Sequence, residues 1–101
     1  MGFFKKRADM TISKNTAKAI HGRHVEYAVM RDPNDYSETV VGRDGYISII
    51  DRRVIVHCEG KDLYNESLDK ARVWELMSLN GAAFDLDDGR TLVAYYSYYR
   101  K

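Results

Sequence analysis

Apolar residues recur thinly at first. In TISKNTAKAI, residues 11–20, the apolar positions are Ile12, Ala17, Ala19 and Ile20. That spacing predicts a short helix, with Gly22 placed to stop it. So sparse a stripe must dock on something to persist. After His24 the period falls to two. Val25, Tyr27 and Val29 share one face and Ala28 and Met30 the other, which predicts a strand. Asp32-Pro33-Asn34-Asp35 then reads as a turn, because proline presets φ and Asx side chains bond their own backbone. Pro33 is the only proline, and it falls between elements.

Further short β-prone runs follow at Glu38–Val41, Tyr46–Ile50, Val54–Cys58, Val73–Leu79, Ala82–Leu86 and Arg90–Tyr99. They are parted by Gly42 and Asp44-Gly45, by Asp51-Arg52-Arg53, by Glu59-Gly60-Lys61-Asp62, by Asn80-Gly81 and by Asp87-Asp88-Gly89. Asn80-Gly81 is the dipeptide best suited to a two-residue type I′ hairpin, where both central residues need positive φ. The stretch from Ser67 to Leu79 fits two patterns. Val73, Leu76 and Met77 share a helical face, with Ser67 as a cap, but Trp74 and Leu79 fall partly outside it. A brief turn at Ser67–Lys70 followed by a strand uses the Asn80-Gly81 signal better and is the preferred reading. About seven short strands joined by tight turns predict a mainly β fold with one short N-terminal helix. The expected form is an antiparallel meander closed into a small barrel or a two-layer sandwich. No linker or repeat interrupts it, so residues 1–101 read as one domain.

Composition supports that reading. The chain has 101 residues, 45% hydrophobic and 12% aromatic, enough apolar area for a core without disulfides. A single cysteine, Cys58, excludes an internal disulfide framework and suggests a reducing compartment. No apolar run approaches the roughly 20 residues of a membrane-spanning helix. No apolar stretch follows the charged start as a signal peptide requires. A cytoplasmic location is therefore expected.

Formal charge is close to neutral, with 16 Lys+Arg against 15 Asp+Glu, but it is unevenly spread. Residues 1–24 hold 6 basic residues and 1 acidic, net +5. Residues 25–90 hold 8 basic and 14 acidic, net −6. Residues 1–10 form a basic arm in which Phe3 and Phe4 precede Lys5, Lys6 and Arg7. Such an arm either solubilises the terminus or meets an anionic membrane surface.

Candidate chemistry is sparse. His21 and His24 are spaced as two metal ligands, yet no third ligand completes a set. His57 and Cys58 are neighbours on a strand and point to opposite faces, so they cannot work as a pair. Cys58 reads as a small buried hydrophobe. Asp85, Asp87 and Asp88 cluster at a hairpin for reasons of turn chemistry. Phosphate-binding, dinucleotide-binding and serine-hydrolase motifs are missing. Neither catalysis nor a metal or cofactor is expected. The unusual feature is the end of the chain. On a strand, Tyr95 and Tyr99 share a face with Val93 and Ser97, while Tyr96 and Tyr98 share the other with Leu92 and Ala94. One face meets the core. The other offers tyrosines to a protein partner or a second copy or, beside Arg100 and Lys101, to single-stranded nucleic acid. Alternatively the rings cover the barrel end.

Residues 45–56, GYISIIDRRVIV, and 66–75, ESLDKARVWE, resemble the bacterial PH-like and GRAM-like domains. Those sheets often contain a strand, an aspartate with two basic residues, a second apolar strand and then a Leu-Asp step, here Leu68-Asp69. The resemblance runs from Gly42 to the Val73 strand. It implies a small β-barrel acting as a non-catalytic binding or scaffolding module. PH-like domains usually end with a helix that plugs the barrel, whereas this chain ends on strand residues. The expected partner is a protein or a second copy, met through Tyr95, Tyr96, Tyr98 and Tyr99. The alternatives are anionic lipid contact through Phe3, Phe4, Lys5, Lys6 and Arg7 and, third, nucleic acid.

Overall fold

A computed structural model describes residues 12–97. Helix α1 spans Lys14–Ile20, starting later than the Thr11 of the sequence pattern. The Ser13 hydroxyl accepts the Thr16 N–H at 3.1 Å, satisfying one of the donors a first turn leaves open. The helix docks, as its thin stripe requires. Ile20 is fully buried, and Ile12 and Ala19 pack against the same core.

Strands β1 (His24–Arg31), β2 (Glu38–Ile50), β3 (Arg53–Cys58) and β4 (Lys61–Ser67) form one antiparallel meander. Strands β5 (Val73–Glu75), β6 (Gly81–Asp85) and β7 (Thr91–Tyr96) form a second. Pairing of β7 with β1 joins them into one sheet of order β4-β3-β2-β1-β7-β6-β5. The sheet curls into a half-barrel. Residues between β4 and β5 cross from one sheet edge to the other, tied by Leu68 N–H to Arg52 C=O and Asp85 N–H to Arg72 C=O, both 2.9 Å. Helix α1 lies against β2 and β5.

The mainly β architecture and the number of strands agree with the pattern, but the strands differ in detail. Glu38–Val41 and Tyr46–Ile50 are a single strand, which runs straight through Gly42 and Asp44-Gly45. Pairing with β1 up to Tyr46 and with β3 from Gly45 onward keeps it one strand. Asp44 absorbs the distortion at φ +54°. Gly45 is there for closeness, since a Cβ would stand 1.9 Å from the His57 carbonyl oxygen. The strand count is restored by β4, where the sequence pattern placed a break at Lys61-Asp62 and marked no strand beyond it. The Val73–Leu79 run shortens to the three residues of β5.

Turn chemistry is also redistributed. Asn80-Gly81 does not form the type I′ hairpin. Leu79 takes the positive φ, +62°, and Gly81 already belongs to β6. Gly81 is required by packing instead, because a Cβ would lie 2.4 Å from the Ala94 carbonyl oxygen. Two-residue loops with positive φ at both positions occur at Asp51-Arg52 (53° and 62°) and Glu59-Gly60 (52° and 82°). Between β1 and β2 the Asx reading holds: Asp32 accepts the Asn34 N–H at 2.7 Å and Asp35 the Ser37 N–H at 2.9 Å.

The core gathers Ile20, Val25, Ile47, Val54, Val56, Tyr64, Phe84 and Leu92. Full burial of such side chains contributes about 1.5–3 kcal/mol each. Cys58 is fully buried among them, and burial pushes its thiol pKa up. His57 faces outward and donates from Nδ1 to the Asp62 carboxylate at 2.8 Å.

Candidate binding site at the helix end of the half-barrel

A cavity of about 930 Å³ opens where the Gly22-Arg23 turn, the start of β1, the end of β7 and the loop after β5 converge. Each wall has a local cause. The turn is fastened to β2 by Gly22 N–H to Ile47 C=O at 2.7 Å and by Ile47 N–H to Arg23 C=O at 3.1 Å. The loop closes through Leu79 N–H to Leu76 C=O at 2.8 Å, and its Asn80 carbonyl accepts the Tyr96 N–H at 2.9 Å. These bonds fix where Arg23, Leu79 and Asn80 stand around the opening.

The tyrosines of the last strand separate as the alternation requires. Tyr96 turns inward with Leu92 and Ala94 and is 7% exposed. Tyr95 turns outward and packs its ring 4.9 Å from that of Tyr27 on β1. Both line the cavity. Tyr98 and Tyr99 lie outside the described residues, as do Phe3, Phe4, Lys5, Lys6 and Arg7. The outward member of the proposed tyrosine surface is therefore Tyr95, and Tyr96 is chiefly core.

Arg23 stacks its guanidinium 3.9 Å above the centre of the Tyr96 ring, a cation–π contact. Among the described residues no carboxylate lies within ion-pair distance of that guanidinium. The Tyr96 hydroxyl is buried and finds no hydrogen-bond partner among the described residues. Burial, aided by the Glu75 charge and opposed by Arg23, pushes its pKa up to about 12.

A second polar group stands beside it. His24 bonds Ser97 Oγ through Nδ1 and Asp44 through Nε2, the latter at 2.6 Å. Its ring meets the Tyr46 ring edge-on, with centroids 5.1 Å apart. The residue types are those of a nucleophilic triad. However, Asp44 is 84% exposed at its side chain, where water competes for the carboxylate. The neighbouring amides are engaged, Tyr96 N–H with Asn80 and Ser97 N–H with the His24 carbonyl at 3.0 Å. Such amides would otherwise serve as oxyanion donors. The chain Ser97–His24–Asp44 ties the end of β7 to β1 and β2. His21, the other half of the His21–His24 spacing, accepts the Ile49 N–H at 3.0 Å and points elsewhere.

The sequence reading missed three exposed apolar side chains on β5 and the loop after it, of which Leu79 lines this opening. Trp74 is 45% exposed, Leu79 65%, and Met77 entirely so. The signal was present in Leu79, a bulky apolar residue directly before Asn-Gly, where a solvated turn has no use for it.

Comparison with protein families, with curated proteins and with solved structures finds no match to this chain. Among the described residues no helix is long and apolar enough to cross a membrane.

Proposed function

We propose that this chain is a non-catalytic binding module of PH-like or GRAM-like kind, working in the cytoplasm. It meets a protein partner with the helix end of the half-barrel, around Tyr95, Met77 and Leu79. One observation carries the reading. The loop after β5 holds Met77 and Leu79 out in water, with Leu79 in a left-handed backbone conformation that costs a bulky residue about 1–2 kcal/mol. Folding gains nothing from that arrangement, whereas a partner that covers both side chains does. Trp74 and the Tyr27–Tyr95 pair extend the aromatic part of the surface, the composition that protein interfaces favour.

Size-exclusion chromatography with light scattering, and affinity capture, on the full chain and on a Met77→Asp, Leu79→Asn variant test this. Asparagine tolerates the left-handed turn, so the variant keeps its fold. The expected result is that the wild type gains mass with concentration or retains a partner polypeptide, and the variant does neither. Equal mass and identical retained proteins for the two chains overturn the reading. The anionic-lipid alternative rests on Phe3 to Arg7, and no described residue favours it over a protein partner.

A further inference from the structure

The docking reading leaves the chemistry of the partner open, and the cavity beside Leu79 narrows it. Resting on that reading, we propose that the cavity takes a carboxylate-bearing segment of the partner, a C-terminus or an acidic side chain next to an aliphatic one, with Arg23 as its anchor.

Three features converge on this assignment. Among the described lining residues Arg23 is the one side chain with a permanent positive charge, and no carboxylate of the described residues lies within ion-pair distance of it. Its guanidinium lies on the Tyr96 ring, and that ring is held in the core, so the planar fork is already oriented. A carboxylate matches such a fork with two parallel hydrogen bonds, and little side-chain freedom is lost on binding. Leu79 lines the same cavity with 65% of its surface in water, ready to cover an aliphatic neighbour of that carboxylate. Glu26 also lines the opening and is exposed. Its charge acts against any anion in the cavity, so binding rests on the paired contact with Arg23 and a run of acids is disfavoured further.

The test uses N-acetyl-leucine and N-acetyl-leucinamide, which share shape and differ in the carboxylate, titrated against the full chain by amide NMR. N-acetyl-leucine is expected to shift Arg23, His24, Asn80 and Ser97, and the amide to bind at least about tenfold more weakly, the size of a charged hydrogen bond in such a site. Arg23→Gln is expected to erase the difference, and Arg23→Lys, which keeps the charge but not the fork, to restore part of it. Leu79→Asn is expected to weaken both ligands alike. Equal affinity for acid and amide in the wild type, an unchanged preference in Arg23→Gln, or retention on anionic vesicles with no response to N-acetyl-leucine each overturns the assignment. Loss of partner retention in Met77→Asp, Leu79→Asn, alongside equal binding of acid and amide, separates the two ideas. The docking surface then stands and the carboxylate falls.

Discussion

The Tyr64 ring on β4 lies 5.1 Å from the Phe84 ring on β6, tilted by 51°, although four strands separate β4 from β6 in the hydrogen-bonded order of the sheet. The half-barrel is therefore closed on that side by side chains. Both residues belong to the main core, with Phe84 fully buried and Tyr64 5% exposed. Phe84→Ala is expected to cost about 3–5 kcal/mol by urea denaturation, and Tyr64→Ala a comparable amount, because each removes transfer energy and leaves a cavity. A cost under about 1 kcal/mol for both would mean that the curled sheet holds without them.

Alkaline pH should loosen the fold before the chain is otherwise damaged. Burial, reinforced by Glu66, Asp85 and Asp87 and partly offset by a backbone bond from Arg72, pushes the Tyr64 pKa up to about 12. Tyr96 stands at about 12 as well. In the unfolded chain both titrate near 10. Below pH 10 both states hold the neutral phenol, and that contribution is fully present. Between about 10 and 12 the unfolded state loses protons that the folded state keeps, so stability falls as pH rises, by on the order of 2 kcal/mol per tyrosine. Unfolding free energies at pH 9 and 11.5 for the wild type and Tyr96→Phe check this, the variant losing about half the slope. Tyr96→Phe should also be no less stable at neutral pH, because the hydroxyl it removes has no partner among the described residues.

The loop at Asp51-Arg52 carries two non-glycine residues at positive φ, 53° and 62°. Replacing the pair by Asn-Gly supplies the residues that type I′ geometry favours. Thermal denaturation is expected to show a gain of about 1 kcal/mol. It gives up the exposed 3.3 Å contact of Arg52 with Asp69, an ion pair worth little in water. A loss of stability would mean that this side chain matters more than the backbone strain.

Gly45→Ala makes the opposite experiment. Its Cβ would meet the His57 carbonyl at 1.9 Å and Cys58 Sγ at 2.5 Å, both in the neighbouring strand. The expected outcome is a loss of about 3 kcal/mol or more, or no folded protein, seen as missing amide dispersion by NMR. Gly60→Ala is the control, since nothing lies within 4 Å of a Cβ there. Its penalty is limited to that of the left-handed backbone at φ +82°.

Residue order alone carried the local facts. Alternation in the last strand and at His57-Cys58 divides inward from outward side chains because a strand has a period of two. It put Tyr96 with Leu92 and Ala94, and Cys58 opposite His57, as the structure has them. Asx side chains in residues 32–37 made their turn for an equally local reason. At Val25–Met30 the expected faces fail, since pairing irregularities between Val25 and Tyr27 and between Ala28 and Val29 bring Val25 into the core with Ala28. Distant partners decided the remainder. Gly42 and Asp44-Gly45 look like a stop until β1 pairs along that stretch and β3 takes over from Gly45 onward. Lys61–Ser67 is too polar to read as a strand until β3 takes it as an edge. The cavity joins Arg23, Leu79 and Tyr95, far apart in the chain, because β7 pairs with β1 and brings the loop after β5 over the helix end. Pairing across the sheet depends on which strands meet, a contest between distant segments that no short window of sequence contains.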